Sequence, residues 1–137
     1  MKLYIPPIWL FLILMMTTLS SAAEILLIVG DASFTVELED TPAAHELLSR
    51  LPLALHMADL NANEKYADIP KALPMKSEAV GSIHTGDLML FGSTCMVLFY
   101  KDFRTPYRYT RLGRVKEAAS LPSVLGRGSV DIRLQTP

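Results

Sequence analysis

Two apolar runs separated by three turn residues set the first limit on this chain. Asp87-Leu-Met-Leu-Phe91 is followed by Gly92-Ser-Thr94 and then by Cys95-Met-Val-Leu-Phe-Tyr100. The gap is hairpin-sized and the flanks have strand length, so the spacing predicts two central strands. Hydrophobicity in both runs is continuous rather than alternating, which calls for burial on both faces, as where a helix caps one side of a curved sheet.

The remaining segments supply further sheet. Residues 25–29 are apolar, Gly30-Asp31 is a turn signal, and Phe34, Val36 and Leu38 alternate with Thr35, Glu37 and Glu39, which reads as another hairpin. Thr41-Pro42 offers a hydroxyl acceptor for free backbone N–H groups ahead of a proline whose φ suits a first helical turn. A short helix is therefore expected over residues 43–50, with Ala44, Leu47, Leu48 and Leu51 on its apolar face. Pro52 stops it. Leu53, Leu55 and Met57 then alternate as a strand, and residues 59–74, rich in Asn, Asp and Pro, read as a long excursion. Residues 107–115 predict a strand, 121–125 a short helix or turn, and 129–134 a last strand. No repeat, low-complexity tract or second-domain linker interrupts the chain.

The first 23 residues have the order of a secretory signal peptide: Lys2, an unbroken apolar run over residues 8–16, then small residues including Ser21 and Ala23. Cleavage is expected after Ala23, leaving residues 24–137 as a single exported domain, periplasmic or secreted. The alternative is a membrane anchor, but residues 8–19 fall short of the span of about 20 residues that a bilayer core requires. No cysteine follows the exit region to be acylated. Of 13 lysines and arginines only Lys2 lies in the leader, so residues 24–137 carry 12 basic side chains against 14 acidic ones, net −2. That balance gives no electrostatic reason to expect nucleic acid or an anionic membrane as partner. Cys95 is the only cysteine, so no internal disulfide forms and the core must suffice. Heading an apolar strand without a basic neighbour, Cys95 is expected to be buried and inert.

Three blocks carry a resemblance. Asp59-Leu-Asn-Ala-Asn-Glu-Lys-Tyr66, Gly86-Asp-Leu-Met-Leu-Phe-Gly-Ser93 and Tyr109-Thr-Arg-Leu-Gly-Arg-Val115 are similar to the signature blocks of the bacterial cyclophilin-like family, whose order and spacing run from residue 25 to residue 134. The resemblance implies a mostly β fold: a small closed barrel of about eight strands with one or two short helices, the architecture of cyclophilin-type peptidyl-prolyl isomerases. Leu112-Gly-Arg-Val-Lys-Glu117 also resembles the Phe-Gly-Lys-Val segment of true cyclophilins, and Gly92-Ser93 their Gly-Ser-Gln-Phe-Phe strand. True cyclophilins hold substrate with an arginine in an Arg-Ile-Ile-Pro strand and a glutamine in a Gln-Gly-Gly-Asp segment. Residues 53–74 contain no arginine, and Thr94-Cys95 stands where the strand-leading glutamine would be. The resemblance thus carries the fold and not the activity.

Lowering the barrier of ~20 kcal/mol to X-Pro rotation requires a donor aimed at the twisted amide. Arg108 and Arg111 are the available guanidinium groups, weighed against the ordinary role of solvated rim charges. His45, His56 and His84 with Ser93 and Cys95 lack any local nucleophile motif, and the histidines lack HxH or HxxxH spacing for a metal. No cofactor is implied. The segment Asn61-Ala-Asn-Glu-Lys-Tyr66 mixes amides, a carboxylate, an ammonium and a phenol, a composition equally suited to a ligand groove and to a self-satisfied loop. The candidate binding residues are Asn61, Asn63, Glu64, Tyr66, Tyr100 and Arg108, with Tyr107 and Tyr109 adding aromatic surface. The expected product is a monomeric exported module that binds a small molecule or peptide. An unconventional isomerase acting on exported proteins, and a structural barrel within an assembly, are the other readings.

Overall fold

The alternation at Phe34, Val36 and Leu38 sorts side chains to one face, and that face is buried. These residues lie on β2 (Ala32–Leu38), which pairs antiparallel with β1 (Glu24–Val29). The computed structural model describes residues 2–4 and 22–137; apart from residues 2–4, 22 and 23, the expected leader lies outside the described residues. At Thr41 the chain enters α1 (Pro42–Ser49), where the Thr41 hydroxyl accepts from the Ala44 N–H at 3.2 Å. Ala43, Ala44 and Leu47 of α1 join the main core, with Leu48 and Leu51 packed at its margin.

After α1 come β3 (Leu53–Leu60), β4 (Glu64–Asp68), the two-residue strands β5 (Glu78–Ala79) and β6 (Ser82–Ile83), then β7 (Asp87–Phe91) and β8 (Cys95–Phe99). A two-residue strand β9 (Phe103–Arg104) precedes β10 (Arg108–Val115), α2 (Leu121–Leu125) and β11 (Val130–Gln135). Strands β2-β1-β11-β3-β4-β8-β7-β10 form a continuous antiparallel sheet, and β10 returns to β2 through Gly113↔Leu38, Arg114↔Glu37 and Val115↔Val36. Eight strands therefore close into a barrel, as the resemblance implied. The closing seam is tight. A Cβ at Gly113 would stand 2.5 Å from the Glu37 carbonyl oxygen, so only glycine lets β10 come this close to β2.

Residues 59–74 depart from the expected excursion. Asn61 and Ala62 both take left-handed φ values of 54° and 52°, Asn63 N–H donates to the Leu60 carbonyl at 3.2 Å, and β3 and β4 run antiparallel from a three-residue connection, residues 61–63, with Leu60 opposite Glu64. This is the backbone geometry that a right-twisted hairpin demands. The sequence hides it because Ala62 lacks the glycine usual at such a position, and the Asp59 carboxylate, accepting from the Ala62 N–H at 3.1 Å, supports the turn instead. Only residues 69–77 remain irregular. They are tied down by Ile69 and Leu73, buried in the core, and by the Arg50 guanidinium on the carbonyls of Lys71 and Ala72.

The central hairpin is covered on both faces, as its composition required, but no helix provides the outer cover. Leu88 and Leu90 of β7 with Met96 and Leu98 of β8 face the barrel interior. Met89, Val97 and Phe99 face outward into a second cluster with Ile83 and Tyr109, flanked by Val80, Cys95 and Phe103. The cover therefore comes from the β6–β9 ribbon and the start of β10.

Candidate functional site

Register decides which of the candidate residues meet. Glu64 pairs with Phe99, Lys65 with Leu98 and Tyr66 with Val97. Side chains alternate across a strand, so Glu64 and Tyr66 share the outer face with Phe99 and Val97 while Lys65 turns inward. The outer face is hollowed into a groove of about 370 Å³. Its aromatic walls are Tyr66, Phe91, Tyr107 and Tyr109, Leu60 and Val97 are its aliphatic residues, and Glu64 and Cys95 are its polar groups. Phe91 holds the aromatic side together, edge-on to Tyr107 at 6.2 Å and tilted against Tyr109 at 5.7 Å, while Tyr109 stands perpendicular to Phe99 at 5.5 Å.

The groove is electrostatically one-sided. Removal from water, then the nearby negative charge of Asp59, pushes the Glu64 carboxyl above its ordinary range. Burial followed by the Glu64 charge raises the Tyr109 phenol, and burial with Asp68 and Glu64 raises the Cys95 thiol. Cys95 is thus half-buried at the groove wall rather than fully enclosed. The difference arises because it is the first residue of β8 and sits on the phase facing the groove. A larger hollow of about 490 Å³ beside Ala22 is walled by Glu37, Glu39, Asp40, Arg114 and Lys116. It sets three carboxylates against two cations that are paired with Asp87 and Glu24, and it has no aromatic wall.

The six residues singled out from sequence divide into separate places. Glu64 and Tyr66 line the groove. Tyr100 belongs to the interior: its hydroxyl donates to Asp59 Oδ1 at 2.5 Å, and Lys65 Nζ stands 5.1 Å from its ring centre. Burial and Asp59 together push that phenol up to about 12. Lys65, fully buried, also donates to Asp59 Oδ1 at 2.9 Å and to the carbonyls of Gly126 and Gly128 at 2.8 and 2.6 Å. The Tyr100 and Lys65 bonds hold the Asp59 carboxyl below its usual range. Asn61 is an exposed turn residue, and Asn63 spends its carbonyl on the Tyr100 N–H at 3.0 Å. Arg108 is exposed and donates to the Ser77 carbonyl at 3.0 Å. Arg111 pairs with Glu78 at 2.6 Å, so neither arginine lines the groove.

Phe91, Leu60 and Val97 were not singled out from sequence. Their signal was the strand phase: each lies on the outward side once β4 is paired with β8. The histidines sit on the surface. His45 and His56 face Asp40 and Asp131, and the His84 N–H donates to Asp87 at 2.8 Å, stabilising the turn into β7. Among the described residues no group of three or more His, Cys, Asp or Glu side chains is placed to hold a metal, and no helix is long and apolar enough to cross a membrane.

A closed eight-stranded antiparallel barrel with two short helices and an outer groove defines a class, and the family comparison gives it a name. The model of the cyclophilin-like family matches residues 27–135, and the chain belongs to that family. Among solved structures, the chain is similar to the solution structure of the hypothetical protein AF2241 from Archaeoglobus fulgidus, at 16% identity and a TM-score of 0.57, over 89% of this chain and 100% of the other. That likeness concerns the fold alone. Comparison with curated proteins gives no match.

Proposed function

We propose that this chain is an exported cyclophilin-like module that holds a segment of polypeptide in its outer groove without catalysing a reaction on it. The observation that carries this reading is where the exposed apolar side chains lie. Between residues 22 and 137 the exposed large hydrophobics are Leu60, Tyr66, Met75, Phe91 and Tyr107. All but Met75 line the groove. Scattered single hydrophobics on a surface need no explanation, whereas a contiguous aromatic patch marks a place where another molecule is bound. Isomerase chemistry would need a donor reaching the prolyl nitrogen, and the two guanidinium groups of β10 outside the closing seam are engaged with Ser77 and Glu78. The export half of the proposal rests on the order of Lys2, the apolar run and Ser21 to Ala23.

An array of short random peptides tests the groove. The protein is expected to bind a subset of them, and Phe91→Ala with Tyr107→Ala to weaken that binding about tenfold or more, as loss of aromatic anchors does. Both side chains are about half exposed, at 48% and 59%, so thermal stability should change little. Peptide binding indifferent to both substitutions would refute the assignment of the groove.

A further inference from the structure

Glu64 is a half-buried carboxylate on an aromatic wall, and none of the ion pairs among the described residues includes it. A carboxylate partly removed from water without a compensating charge is unfavourable. The strands around it hold four lysines and arginines, and each is engaged elsewhere. Lys65 points to the opposite face of β4, on Asp59 and two glycine carbonyls. On β10, Arg108 donates to Ser77, Arg111 pairs with Glu78, and Arg114 pairs with Asp87 at 3.1 Å. Strands β3, β7 and β8 have no lysine or arginine. The titratable groups facing Glu64 are Tyr109 and Cys95 on the groove, with Asp59 from β3 and Asp68 beside Cys95, and none of them is a cation. The groove that Glu64 lines is walled by the rings of Tyr66, Phe91, Tyr107 and Tyr109, and the π face of an aromatic ring attracts positive charge.

Resting on the groove reading above, we infer that the groove selects a polypeptide segment bearing a lysine or arginine, whose cation sits between the Glu64 carboxylate and the tyrosine rings. The charge complementarity is local. A cation entering the groove gains an ion pair strengthened by the partly dry surroundings and meets ring faces at once. A polypeptide is the occupant because of the rim: Leu60, Tyr66, Phe91 and Tyr107 are 36–59% exposed. A small free amine filling the hollow would leave these side chains in water, while an extended chain laid across the strands covers them.

The test compares acetyl-Ala-Phe-Lys-Phe-Ala-amide with its norleucine and glutamate counterparts, alongside the peptide array. The norleucine peptide keeps the apolar stem and loses only the charge. The lysine peptide is expected to bind about tenfold tighter than the norleucine peptide, and the glutamate peptide weakest. Glu64→Gln, nearly isosteric and checked by thermal unfolding, should bring the lysine-to-norleucine ratio close to one. If lysine and norleucine peptides bind equally, and that binding depends on Phe91 and Tyr107, the charge inference falls and the groove reading stands. If array and peptides show no binding that depends on those aromatics, both fall. If n-butylammonium binds as tightly as the lysine peptide, a small amine is the ligand and the polypeptide part is overturned.

Discussion

Glu64 pays for its position in the unliganded protein. Its carboxyl is raised above the ordinary value of 4.5, so the native state holds the Glu64 proton more tightly than the unfolded chain does. Its contribution to stability is therefore fully present below the unfolded value and is lost as pH rises through the native one. At neutral pH the ionised side chain disfavours folding. Glu64→Gln is accordingly expected to be more stable than the wild type at neutral pH, with the difference shrinking toward zero as pH falls below the ordinary carboxylate value. Urea unfolding across a pH series measures this; a difference independent of pH would show that neither burial nor Asp59 acts on Glu64 as described. The same residue shows how far the site was legible beforehand. Glu64 and Tyr66 were recognisable as chemically useful because they sit in a polar, varied stretch. Tyr100 and Arg108 share only aromatic or charge character with them, and strand phase sends Tyr100 inward while the Ser77 carbonyl takes the Arg108 guanidinium.

The β3–β4 hairpin couples the groove to the barrel interior, with Glu64 and Tyr66 on one side and Lys65 on the other. Lys65 makes three hydrogen bonds and reaches across to Gly126 and Gly128 in the segment before β11, so one ammonium ties the hairpin to the far part of the chain. Lys65→Met keeps much of the apolar stem but leaves the Asp59 carboxylate without its cation and the Gly126 and Gly128 carbonyls without their donor. It should cost about 3–5 kcal/mol, as removal of one partner from a buried ion pair does. Chemical denaturation reads the loss directly. Asp59→Asn combined with Lys65→Met should cost less than the sum of the two single changes, because the remaining group is no longer charged. This hairpin is also the element least marked in the sequence. Polar density and Pro70 and Pro74 point to an open loop, because Asn61-Ala62-Asn63 has no glycine to announce a tight connection, and the Asp59 carboxylate that supports it is visible only in three dimensions. The β1–β2 and β7–β8 hairpins were legible because glycine marks each turn and apolar residues, in continuous runs or in alternation, mark each flank.

Closure of the barrel depends on partners distant in sequence, β10 with β2 and β11 with both β1 and β3. Local periodicity has no access to such pairings, so the barrel was reachable beforehand only through the family blocks. Export was argued entirely from the leader, and its test is the mass of the exported chain, expected to begin at Glu24. Recovery of residues 1–23 on protein held in a membrane fraction would contradict it. Cleavage after Ala23 keeps the Ala23 residue out of the mature chain and so gives up the hydrogen bond from the Leu38 N–H to the Ala23 carbonyl at 2.8 Å, worth a net of about 1 kcal/mol. The pair between Glu24 and Lys116, at 2.8 Å, remains.

The central hairpin serves two clusters at once, Leu88, Leu90, Met96 and Leu98 turning inward while Met89, Val97 and Phe99 turn outward with Phe91 and Cys95. Barrel core and outer cluster are thereby spelled in alternate letters of the same two strands. Of the odd-numbered positions, Phe91, Cys95 and Val97 reach the groove while Met89 and Phe99 are locked in the outer cluster, so the groove surface can be altered at a few positions of a hairpin whose other apolar side chains are all committed to packing.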